Sequence, residues 1–205
     1  MGIIKKIEVK DLGLFKNKDN LQWTAEERKK YKKMYNFSGM TDEDRYAIFL
    51  RDQIIKNRDV DELFQLEEED FSIALYEILC NQCDYDPAKL SYPQKIIFLC
   101  MQLENFGQAD TTLTFLQEEY PLYCDEVVKA LHEIGATKSA EIIKQIIELL
   151  PKDGSWFYDK ADENIEKEFE KLNSEFASYP EGRLSNLYRK YAEKHKRDFL
   201  FASPV

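Results

Sequence analysis

Residues 90–151 read LSYPQKIIFLCMQLENFGQADTTLTFLQEEYPLYCDEVVKALHEIGATKSAEIIKQIIELLP. Four helices can be read from this stretch. Ser91 to Gln94 is a capping box, in which the serine oxygen takes a free backbone N–H and the glutamine reaches back. Pro93 is tolerated in the first turn, where its missing donor would have no partner. Ile96, Ile97, Leu99, Cys100, Leu103 and Phe106 follow as an apolar face at helical spacing, interrupted by Lys95, Gln102 and Glu104 as solvent or interface positions. Gly107 reads as the stop. A short helix is expected over Thr111 to Glu119, ended by Pro121. A third runs from Cys124 to Ile134, closed by a left-handed Gly135. Thr137 reads as the N-cap of a fourth, which ends at Pro151 and Gly154.

The same signals recur outside the stretch. Thr24 to Glu27 and Thr41 to Asp44 are capping signals. Their helices carry Arg28, Lys29, Lys30, Lys32 and Lys33 in the first, and Tyr46, Phe49, Leu50 and Ile54 in the second. The lysine cluster reads as a solvated face balanced by Glu26 and Glu27. Four acids, Glu67 to Asp70, open a further helix where the dipole favours them. Trp156-Phe157-Tyr158 reads as an aromatic loop. Asp159 or Asp162 starts a charged helix, and a last one carries Leu184, Leu187, Tyr188 and Tyr191. Seven glycines and six prolines in 205 residues are few, which disfavours a turn-rich β architecture. The expectation is an all-α, single globular domain of about eight helices over residues 24–205, preceded by an arm or short strand over 1–23.

No apolar run approaches the roughly 20 residues that span a bilayer. The N-terminal residues lack a signal-peptide pattern, so a cytoplasmic protein with no membrane partner is expected. Cys80 and Cys83 form a C-x-x-C pair, but Cys124 and His132 do not make a second compact pair for zinc. Buried free thiols, no metal and no cofactor are expected. No phosphate loop, H-E-x-x-H or nucleophile elbow occurs. The only histidines are His132 and His195. Glu104, beside an apolar face, is the carboxylate on which an enzyme reading would rest; the plainer reading makes it a structural hydrogen-bond partner. No catalytic residue is therefore assigned.

Charge is distributed unevenly. The net charge is −10. Residues 61–135 hold 3 Lys/Arg and 16 Asp/Glu, a net −13 that covers the whole deficit. A compact chain of this length is roughly 40 Å across, so these charges, if on one face, would lie about 3 Å apart. Duplex DNA carries about one per 1.7 Å. Glu67, Glu68, Glu118, Glu119, Asp125 and Glu126 are the expected partner-binding carboxylates, facing a basic protein rather than nucleic acid itself.

From about Leu90 to Phe199 the chain resembles an all-helical bacterial family of DNA-mimic proteins, long catalogued as a domain of unknown function. The residues that carry the likeness are Phe98 to Glu104, Asp125 to Ala136 with its Ala-Leu-x-x-Ile-Gly-Ala step, Lys138 to Ile143, Leu149 to Pro151, and Tyr179-Pro180-Glu181 ahead of Leu187-Tyr188. The resemblance implies an all-α fold that self-associates, and an acidic surface that occupies a DNA-binding regulator. The family's usual Asn-Gly-Gly-Phe turn is replaced here by Gln108 to Thr112, without adjacent glycines. A toxin-neutralising immunity-type role is the alternative that uses a similar acidic helical surface.

Overall fold

The computed structural model describes residues 23–201. The expected arm over residues 1–23 lies, apart from Trp23, outside them. The described part is all-α: ten α-helices, eight of them ten residues or longer, and no β-strand among the described residues. These residues group into two compact units, divided inside one helix between Ile78 and Leu79. The sequence reading treats 24–205 as one body.

The first unit contains α1 (Ala25–Met34), α2 (Asp42–Asn57), α3 (Val60–Leu63) and the start of α4 (Glu68–Cys83). Both capping boxes form as the sequence predicts: Glu27 N–H donates to Thr24 Oγ1 and Asp44 N–H to Thr41 Oγ1, at 3.2 and 3.1 Å. Tyr31 of α1 packs on Phe49 and Leu50 of α2, joined by Trp23, Tyr35, Tyr46 and Ile48. Trp23 stacks on Tyr46 at 5.3 Å, and Tyr31 meets Phe49 edge-on at 5.5 Å. This small aromatic cluster, rather than a long aliphatic stripe, ties α1 to α2.

The second unit is organised around α5 (Tyr92–Ala109). Every residue from Ile96 to Leu103 is buried, Gln102 included, so the helix is central and Gln102 is not the solvent or interface position its polarity suggests. Helix α6 (Cys124–Ile134) packs on α5, α7 (Thr137–Leu149) on α6, and α9 (Glu163–Ala177) on α7 and α5. Helix α10 (Ser185–Lys194) lies against α5 and α6. The polar Gln94 is buried without penalty: it donates to Asp198 C=O at 2.7 Å and accepts from Ser91 N–H and Gln82 Nε2 at 3.1 Å each.

Four sequence expectations change. Gly107 does not stop its helix; α5 continues to Ala109. A Cβ on Gly107 would stand 2.9 Å from Phe176 Cε1, so glycine is there to let α9 come close. Thr137 is the first helical residue and not the N-cap, which is Ala136. The start of α7 is instead capped from a distant turn, where Glu181 accepts from Ser139 N–H at 2.8 Å and from Ser139 Oγ at 2.6 Å. The segment Thr114–Glu119 is wound as a π turn. Trp156-Phe157-Tyr158 is not all loop: Phe157 opens a short helix, α8 (Phe157–Lys160).

The turn from Gln108 to Thr112 is closed by side chains. Thr112 is fully buried. Its N–H and hydroxyl both donate to Asn173 Oδ1 of α9 at 3.0 Å. Gln108 Nε2 donates to Ala177 C=O at 3.0 Å. Three hydrogen bonds to α9 thus hold the turn.

Candidate interaction surface

Carboxylates from separate elements of the second unit act electrostatically on Tyr158. This residue is 45% exposed. Partial burial, and then the charges of Glu170, Glu166 and Asp110, push its phenol above the ordinary range. Asp110 closes α5 and accepts from Thr114 Oγ1 at 3.2 Å. Glu166 and Glu170 lie one turn apart on α9, and no ion pair joins either to a described residue. The two lysines of α9 are committed elsewhere: Lys167 pairs with Glu163 at 2.6 Å and Lys171 with Glu168 at 3.0 Å.

Gln117 fastens the π turn to this neighbourhood. Its Nε2 donates to Ser155 C=O, and its Oε1 accepts from Phe157 N–H, both at 3.0 Å. Glu118 and Glu119, the next two residues, are exposed. Beside them an open groove of about 360 Å³ is lined by Leu116, Gln117, Pro121, Leu150, Pro151 and Trp156. Leu122, next to Pro121, is 91% exposed. Acidic and apolar features therefore adjoin on this part of the unit.

The six expected carboxylates divide. Glu67 and Glu68 belong to the first unit, and Glu118, Glu119, Asp125 and Glu126 to the second. The −13 stretch is split between the units in the same way. Asp125 is exposed at the start of α6. Glu126 is partly neutralised, since its Oε2 lies 2.6 Å from Lys95 Nζ, which also sits over the Tyr123 ring at 5.9 Å. Sequence reading missed Asp110, Glu166 and Glu170. The i, i+4 spacing of Glu166 and Glu170 was visible, but nothing in it pointed to Tyr158 or to the end of α5.

A second group of carboxylates, the half-buried Glu104 and the exposed Glu133, is tied to tyrosines along the seam of α5, α6 and α10. Glu104 accepts from Tyr188 Oη at 2.7 Å, and the Tyr179 phenol lies close by. Glu133 accepts from Tyr92 Oη at 2.6 Å and from Tyr191 Oη at 2.7 Å. Burial raises the Glu104 carboxyl above its ordinary value, against the lowering effect of the two phenols and Arg183. Beside it, the Tyr179 phenol is pushed up to about 12, chiefly by burial and then by Glu104. The group is a structural tie.

Its sign in a stability profile follows. A carboxyl whose folded value is raised stabilises most when protonated, below its unfolded value, and that stabilisation is lost as pH rises through the folded value. We expect Glu104→Gln to remove this component. Urea unfolding of both proteins across the acid-to-neutral range should show the parent losing stability relative to the variant as pH rises. Parallel curves would contradict the assignment.

Burial raises the thiols of Cys83, Cys100 and Cys124, opposite to the shift of a reactive cysteine. All four cysteines are free thiols. Among the described residues no group of three or more His, Cys, Asp or Glu is placed to hold a metal ion, and no helix is long and apolar enough to cross a membrane.

The fold and this surface define an all-helical protein with outward carboxylates beside an apolar groove. The chain belongs to the DMP19-like protein family, which it matches over residues 88–195. No curated protein and no solved structure matches it significantly.

Proposed function

We propose that the chain is a non-enzymatic interaction protein whose second unit presents carboxylates to a basic protein, in the manner of a DNA mimic occupying a DNA-binding surface. The observation that supports this is the exposure of Glu118 and Glu119 on a turn tied by Gln117 to Ser155 and Phe157, beside the open groove, with Asp110, Glu166 and Glu170 all acting on the phenol of the exposed Tyr158. The second unit holds 15 Lys/Arg against 22 Asp/Glu, a net −7. One helix alone is too sparse to imitate a duplex: Glu166 and Glu170 are about 6 Å apart along the axis, against one charge per about 1.7 Å for duplex DNA. Several elements must contribute, and here α5, the π turn and α9 do. The groove and Leu122 would supply the apolar contact that charge alone does not.

The test is a folded Glu118→Lys/Glu119→Lys/Glu170→Lys variant beside the parent protein. Partners are captured from native lysate, eluted with rising salt, identified and titrated. Exposed pairs are worth roughly 0.5 kcal/mol each, so the triple reversal should weaken binding about tenfold and flatten its salt dependence. Duplex DNA should compete for the same partner. An unchanged affinity and salt slope would refute the acidic surface, and a partner that binds duplex DNA and this chain together would refute mimicry.

A further inference from the structure

We propose that the first unit docks on an anionic lipid bilayer through the lysine face of α1 and the two apolar side chains that follow it. Helix α1 buries only Tyr31. Lys29, Lys30, Lys32 and Lys33 are all exposed on the turns that face away from it, and no ion pair joins any of them to a described residue. The sequence expectation of balance by Glu26 and Glu27 holds only in part. Glu27 is turned back into the capping box, its Oε2 accepting from Thr24 N–H at 2.9 Å and Thr24 Oγ1 at 2.8 Å. Those bonds lower its carboxyl first, and Lys30 and Lys56 add to the effect. Immediately after the lysines, Met34 is 54% and Phe37 65% exposed.

The chemistry favours lipid over nucleic acid. Single-stranded nucleic acid sites stack successive bases on several open aromatic faces, but the rings of Trp23, Tyr31, Tyr46 and Phe49 are packed against one another, which leaves Phe37 as the exposed ring beside the lysines. The one arginine of α1, Arg28, lies over Trp23 at 5.8 Å, so no bidentate fork heads the patch. Lysines act as point charges that need no fixed geometry, which suits a headgroup layer. Met34 offers no stacking face, whereas Met and Phe both enter the headgroup–acyl boundary. The chain's net −10 opposes approach at long range. Screening limits that opposition to about 8 Å at physiological salt, and α1 itself carries five basic side chains against two acidic ones. Docking of this kind needs no spanning helix, and the patch lies outside the residues that match the family.

The full chain is sedimented with phosphatidylcholine vesicles, with or without phosphatidylserine. Binding is expected only to vesicles containing phosphatidylserine and should weaken with salt. Changing Lys29, Lys30, Lys32 and Lys33 together to Gln should weaken it at least about tenfold. Phe37→Ser should reduce affinity several-fold while leaving the salt dependence in place. A Phe37→Trp variant, which keeps every lysine, should shift its fluorescence to the blue on adding phosphatidylserine vesicles, and this reads the contact even if the quadruple variant fails to fold. No binding, equal binding to both vesicle types, an unaffected folded quadruple variant, or tighter binding to duplex DNA than to vesicles overturns the proposal.

Discussion

Phe169→Ala should lower stability by about 3–5 kcal/mol, the usual cost of truncating a buried phenylalanine. Phe169 is 1% exposed. It comes from α9, and its ring meets Phe157 of α8 at 4.9 Å and Tyr158 at 6.4 Å. Phe157 is itself fully buried. Truncation therefore removes the apolar area of one ring and leaves a cavity beneath a four-residue helix with little packing of its own. A chain of this size loses roughly 2–4 °C in Tm per kcal/mol, so a fall on the order of 10 °C is expected by calorimetry. Tyr158 is seated on the same ring, so the acidic surface should loosen with it. A loss below about 1 kcal/mol would mean that α8 does not rest on this contact.

Gly107→Leu should cost about 3 kcal/mol, at the upper end of ordinary overpacking. Its Cβ would be 2.9 Å from Phe176 Cε1 and 3.2 Å from both Phe176 Cδ1 and Thr112 Cγ2. Phe176 is 3% exposed and Thr112 fully buried, so neither has free space to retreat into. The decisive comparison is Gly107→Ala. In an open helical site alanine gains about 1 kcal/mol over glycine; here the contact should cancel or reverse that gain. Urea midpoints for the two variants check both statements. A clearly stabilised Gly107→Ala would show that Phe176 withdraws freely and that the close approach of α5 and α9 does not depend on glycine.

Thr24 and Thr41, Gly135 and Asp162 show what was legible in the sequence. Each acts within three or four residues of itself: the two threonines in capping boxes, Gly135 at φ +95 as the end of α6, and Asp162 accepting from Asn164 and Ile165 N–H. Helix termini are orphan backbone groups satisfied locally, so their signature lies in neighbouring residues. The apolar face of α5 was legible from its spacing, but the burial of Gln102, read as a solvent or interface position, was not.

Gly107, Ser139 and Tyr158 show what only the tertiary structure decided. Gly107 reads as a helix stop until α9 brings Phe176 against it. Ser139 gains its carboxylate partner from Glu181, 42 residues away. Tyr158 acquires its acidic surroundings from the end of α5 and from α9. The six carboxylates selected from the sequence divide two to the first unit and four to the second, because compact units are set by which residues pack together and not by the charge of the chain. Charge count belongs to the sequence; which carboxylates face one patch of solvent depends on how α5, the π turn and α9 pack, and that depends on contacts far apart in the chain.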